Sequence, residues 1–117
     1  MIAKTIAEAR QKVLAGELTL TQLVEDYFSR IEANNSEINA FVYLDKERAL
    51  QQAERIQHKV SNGSHGALLG AVMGIKDVIC EKDKPTTCAS EILGNFHSVY
   101  DATVIERLKD ADAILIG

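Results

Sequence analysis

The sequence predicts an α/β fold, in which N-terminal helices lead into the first strands of a mixed sheet flanked by helices, a partial domain. Three observations carry this. Residues 1–60 keep a helical apolar period. That period stops at Ser61-Asn62-Gly63-Ser64-His65-Gly66, a Gly/Ser/Asn loop. Beyond it, two runs apolar on every residue, Leu68–Ile75 and Ala113–Ile116, flank one further helix. A run without polar alternation predicts a strand covered on both faces, and strand, helix, strand is the parallel-sheet unit.

The elements follow in order. Ile2, Ile6, Ala9 and Val13 step by four, three and four along a first helix, which Gly16 stops. Thr19 and Gln22 stand at capping-box spacing. They head a second helix with Leu20, Leu23, Val24, Tyr27, Phe28 and Ile31 inward, and Asn34-Asn35-Ser36 predicts its end. Phe41–Leu44 predicts a short extended run. Asp45 predicts the cap of a third helix, with Ala49, Ala53, Ile56 and Val60 inward and a solvated polar face. Gly70 and Gly74 predict close backbone approach or a bulge. Glu81–Pro85 reads as a charged turn and Thr86–Ser90 as a small polar stretch. Asp101 predicts the N-cap of a last helix, with Val104, Ile105, Leu108 and Ala111 inward. The helical part is then 1–60 and the start of the α/β core 67–117. The final strand delivers its carboxyl end to nothing, which predicts the opening portion of a larger α/β protein.

With 117 residues the chain fits one domain. A net charge of -4 excludes a broad basic surface for tracking nucleic acid. No stretch approaches the ~20 apolar residues of a membrane helix, and residues 1–10 show no signal peptide. Cys80 and Cys88 lack metal or redox spacing and read as small, partly buried free thiols of a cytoplasmic protein. His58, His65 and His97 show no ligand spacing and read as solvent-facing; no metal site is predicted.

Lys76 stands directly after the first apolar run, with Asp77 beside it. Desolvating an ammonium is costly. One reading is a lysine that snorkels to water or pairs with a carboxylate. The other is a lysine tuned by burial to act as a base. Alternation along a strand means that Asp77 need not be its partner.

Three stretches then match a known pattern: Leu69-Gly70-Ala71-Val72-Met73-Gly74-Ile75-Lys76-Asp77, Thr86-Thr87-Cys88-Ala89-Ser90, and Tyr100-Asp101-Ala102-Thr103-Val104 leading to Ile114-Leu115-Ile116-Gly117. Together they resemble the amidase signature family, and within it the glutaminase branch that serves the glutamyl-tRNA(Gln) amidotransferases. The family pattern has Ile-Pro at Ala71-Val72, Asn at Val78, and glycines at Asp83 and Asp112; these departures read as surface or shape changes.

The resemblance implies that Lys76 is the base of a Ser-Ser-Lys triad whose two serines match nothing in these residues. It implies a protein that hydrolyses glutamine to ammonia for converting Glu-tRNA(Gln) to Gln-tRNA(Gln). The implied partners are the B and C subunits of a heterotrimer, glutamine and the misacylated tRNA, with no membrane. It implies no cofactor in this chain, with ATP and magnesium in the partner subunit, and an inactive fragment when alone. The alternatives are a non-catalytic stand-alone module, or the N-terminus of another amidase signature hydrolase.

Overall fold

The computed structural model describes residues 2–117. Thr5 opens α1 (Ile6–Leu14), its hydroxyl accepting the Glu8 amide at 3.1 Å. Ala9 and Val13 are buried as predicted. Ile2 precedes the helix, outside its period, and Ile6 in the first turn is exposed. Gly16 ends the segment with a left-handed φ of 74°.

Both arms of the capping box form at α2 (Leu20–Ile38). Thr19 Oγ1 accepts the Gln22 amide at 3.1 Å, and Gln22 Oε1 accepts the Thr19 amide at 3.0 Å. Leu20, Leu23, Val24 and Phe28 are buried; Tyr27 and Ile31 pack against them half-buried. The helix does not end at Asn34-Asn35-Ser36. Asn34 Nδ2 donates to the Arg30 carbonyl at 2.6 Å, and Asn35 grips both main-chain groups of Phe41 at 2.9 and 3.0 Å. The amides are thus engaged without breaking the helix, which stops at Asn39 in the left-handed region (φ 52°). The same clasp occupies Phe41, and Phe41–Leu44 pairs with no strand among the described residues.

Asp45 Oδ1 accepts the Arg48 amide at 3.0 Å and caps α3 (Lys46–Ser61), which packs against α2. Ala49, Ala53 and Ile56 are buried and Val60 is half-buried, as predicted. The polar face is not merely solvated. Gln57 accepts the Leu20 amide at 2.9 Å, and Gln52 and Lys59 both reach the segment around the last strand.

Two short strands, β1 (Val72–Met73) and β2 (Ile114–Leu115), pair in parallel with Val72 opposite Ile114. Hydrogen bonds continue the pairing from Ala71 to Ile75. The first strand is shorter than the apolar run because Leu68–Gly70 turns under α1. Gly70 has φ 88°, and a Cβ there would lie 2.9 Å from the Arg10 amide nitrogen. β2 is buried on both faces, as its pattern predicts, whereas Val72 and Met73 of β1 are only half-buried. Ile114 and Ile116 join the α1–α3 core, while Ala113 and Leu115 pack with Ile105 of α4 (Thr103–Asp110).

Three further expectations change. Asp101 does not cap α4; Ala102 holds that position, and the Asp101 carboxylate instead accepts the Lys82 amide and the Lys109 ammonium, both at 2.8 Å. Val104 is exposed. Asp112 is buried, and both Asp83 and Asp112 take left-handed φ of 65° and 64°, a region that glycine enters without strain, so these positions constrain the backbone shape. Among the described residues no helix is long and apolar enough to cross a membrane.

Candidate active site at the carboxyl ends of the strands

Because β1 and β2 are parallel, both carboxyl ends emerge on one side, where open α/β sheets bind ligands. The last rung is the Ile75 amide donating to the Gly117 carbonyl at 2.6 Å. Lys76 is the next residue. It lines the mouth of a cavity of about 650 Å³ with Phe41, Tyr43, Gly74, Glu81 and Ala89 among its walls. Gly74 allows the Phe41 ring to close this wall, since a Cβ there would stand 2.9 Å from the ring.

Lys76 is exposed, and its side chain has no hydrogen bond or ion pair among the described residues. It reaches solvent as one reading expected, but it does not pair with a carboxylate. These residues do not supply the burial that the base reading invokes.

Asp77 lines the same cavity but is held by a different segment. Its carboxylate accepts the Thr87 amide at 2.6 Å, the Thr87 hydroxyl, and the Ala89 amide at 3.5 Å; its carbonyl accepts the Cys88 amide at 2.9 Å. The Thr87 hydroxyl, then the Thr87 amide, hold the Asp77 carboxyl below the usual carboxylate range. Hydrogen bonds to an ionised group contribute about 1.5–3 kcal/mol each. An exposed ion pair contributes about 0–1 kcal/mol. Capture by the loop therefore wins over pairing with Lys76. The loop is itself strained, with Cys88 and Ala89 both left-handed at φ 51° and 54°. Cys88 is exposed rather than partly buried; Cys80 is half-buried, and both thiols are free.

The charged turn forms as expected, but the burial of two of its charges does not follow from its composition. Glu81 and Lys84 are buried. Lys84 Nζ lies 3.6 Å from Asp45, 3.7 Å from Glu81 and 5.6 Å from the centre of the Tyr43 ring. Lys109 reaches Glu81 at 3.3 Å. Burial first, then the Asp45 charge, pushes the Tyr43 hydroxyl up. The only signal in the sequence was two opposite charges three residues apart, which is common on surfaces. His58, His65 and His97 are exposed, as expected.

A family model described as amidase matches residues 22–117. This chain belongs to the amidase signature family. It is 42% identical over 97% of its length to the glutamyl-tRNA(Gln) amidotransferase A subunit of Salinibacter ruber. A protein of the same name from Chlamydia pneumoniae is 45% identical over 94% of the chain. The match is to the N-terminal portion of such proteins: the chain spans 22% and 23% of these two relatives' lengths. Among solved structures, the native peptide amidase of Stenotrophomonas maltophilia superimposes with a TM-score of 0.91 at 30% identity, covering 99% of this chain and 24% of that one. The α/β arrangement of helices and parallel strands is therefore a portion of an amidase signature domain.

Proposed function

We propose that this chain is the lysine-bearing N-terminal portion of a glutamyl-tRNA(Gln) amidotransferase glutaminase, with Lys76 as the base of a Ser-Ser-Lys triad. The observation that supports it is Lys76 standing without a counter-ion at the carboxyl ends of the paired strands. The 42% identity across nearly the whole chain favours this branch over an amidase acting on another amide.

In this reading neutral Lys76 Nζ takes a proton from a bridging serine as that serine takes one from the nucleophilic serine. The serine oxygen attacks the side-chain amide of glutamine, the proton held by Lys76 returns through the bridging serine to the leaving nitrogen, the C–N bond breaks and ammonia leaves. Water then releases glutamate from the acyl-enzyme. Neither serine matches a position in these residues, so the chain by itself turns over no glutamine. Ammonia passes to a partner subunit, where ATP and magnesium activate Glu-tRNA(Gln); the B and C subunits complete the heterotrimer.

The test is a hybrid in which these residues replace the matching portion of the Salinibacter ruber protein, assembled with its partner subunits. Lys76→Ala is expected to lower glutaminase turnover by about 10²–10⁴-fold with assembly intact. Near-normal turnover in that variant overturns the role of Lys76. An assembled wild-type hybrid that hydrolyses other amides but not glutamine overturns the substrate.

A further inference from the structure

The residue beside Lys76 carries a second inference, which rests on Lys76 acting as the base. We propose that Asp77 is a positioning residue: the Thr87–Ala89 loop captures its carboxylate and so keeps the adjacent acid off the Lys76 ammonium.

The geometry leads there step by step. Strand alternation would separate the two side chains, but the strand ends at Ile75. Lys76 and Asp77 enter a turn closed by the Ile79 amide on the Lys76 carbonyl at 2.9 Å. In a turn, alternation no longer keeps neighbours apart, so something else must hold Asp77 away. The loop does so with two donors from Thr87, one from Ala89, and the Cys88 amide on the Asp77 carbonyl. These bonds place two successive non-glycine residues, Cys88 and Ala89, in the left-handed region. Such strain persists only where surrounding contacts over-determine it. One set of bonds thereby sets the cleft wall and releases the lysine.

The other ionisable groups on the cavity wall do not replace Asp77 as a partner. Tyr43 donates its hydroxyl to Asp45 at 3.3 Å. Glu81 is engaged by Lys84 and Lys109. Lys84 is a cation, and Cys88 is a free thiol on the loop itself. Among the described residues, Asp77 is the one carboxylate of the cavity lining outside that buried ionic cluster.

The experiment uses the same hybrid complex and reads glutaminase kcat/KM against pH. Thr87→Val removes the hydroxyl donor and leaves Asp77 Oδ2 only the Ala89 amide at 3.5 Å, so that this oxygen can turn toward Lys76. Its acid limb is expected to move to higher pH, with about a tenfold loss near pH 7 that recovers at high pH. Thr87→Ser keeps the hydroxyl and is expected to restore the wild-type limb. Asp77→Asn removes the charge, and its acid limb is expected not to move to higher pH, even where loosening of the loop lowers the plateau. A purely structural role would lower the plateau in both variants and shift neither limb.

An unmoved limb in Thr87→Val, or an upward shift in Asp77→Asn, overturns the proposal. If Lys76→Ala still abolishes turnover, the lysine's role survives that failure. If Lys76→Ala is active, the underlying reading fails instead. Hydrogen exchange of the Thr87, Cys88 and Ala89 amides is the readout without activity. Faster exchange in Asp77→Asn is expected, and unchanged exchange overturns the capture.

Discussion

The Gln52 carboxamide closes on the main chain of Leu115 in both directions, accepting its amide and donating to its carbonyl, each at 3.1 Å. Leu115 is fully buried, and its own amide and carbonyl face away from β1. A side chain of α3 thus completes the free edge of β2 where another strand would otherwise be needed. Gln52→Ala leaves both groups unpaired and is expected to cost about 2 kcal/mol. Equilibrium urea unfolding checks it; a loss below about 0.5 kcal/mol would show that water serves these groups equally well.

Asp112 combines a buried carboxylate with a left-handed backbone. Lys59 Nζ reaches its two oxygens at 2.7 and 2.8 Å, and the Gly66 amide donates at 2.5 Å. Asp112→Ala loses these bonds and keeps the strain, for an expected loss of about 2–3 kcal/mol. Asp112→Gly relieves the strain and should be about 1 kcal/mol more stable than the alanine variant. Equal stability of the two variants would count against this account.

Lys84 is a buried charge with loose partners. Lys84→Met removes a cation from beside Glu81, which keeps Lys109, and Asp45, which keeps the Arg48 amide and the Tyr43 hydroxyl, and is expected to cost about 2 kcal/mol. Adding Glu81→Leu should recover most of that loss, since a well-packed apolar pair replaces a buried ionic one at little net cost. A double-mutant cycle by thermal unfolding reads the coupling, and additive effects would contradict it.

Acid should loosen the fold through two carboxylates. Thr87 holds the Asp77 carboxyl low. Burial pushes Asp101 up, but the hydrogen bonds from Lys109 and Lys82 outweigh it and leave Asp101 low as well. A carboxyl depressed in the folded state stabilises above its unfolded value near ~3.9 and loses that contribution as pH falls through the folded value. Stability is therefore expected to be flat above about pH 5 and to drop below about pH 4. Asp77→Asn combined with Asp101→Asn should flatten that drop in a pH series of denaturation curves.

Much of the local structure was legible because it rests on short-range chemistry. Thr19 with Gln22, Asp45, Gly16, and the apolar faces of α2 and α3 are decided within a few residues by caps, backbone freedom and helical period. The two all-apolar runs announced the parallel pair, although only β2 is fully buried, and the motif around Lys76 announced the family. What eluded the sequence was long-range. Asn34 and Asn35 carry turn chemistry, yet Phe41 and the Arg30 carbonyl absorb it. Asp101 sits where a cap belongs, yet Lys109 and Lys82 claim it. Glu81 and Lys84 have surface composition and a buried address. Polar side chains choose among many partners of similar strength, so their pairing follows from which elements meet. The sequence by itself determined the helices, the paired strands and the candidate lysine. Only the tertiary structure decided that Asp77 turns from Lys76 to Thr87, because the donors that hold it come from a loop about ten residues away.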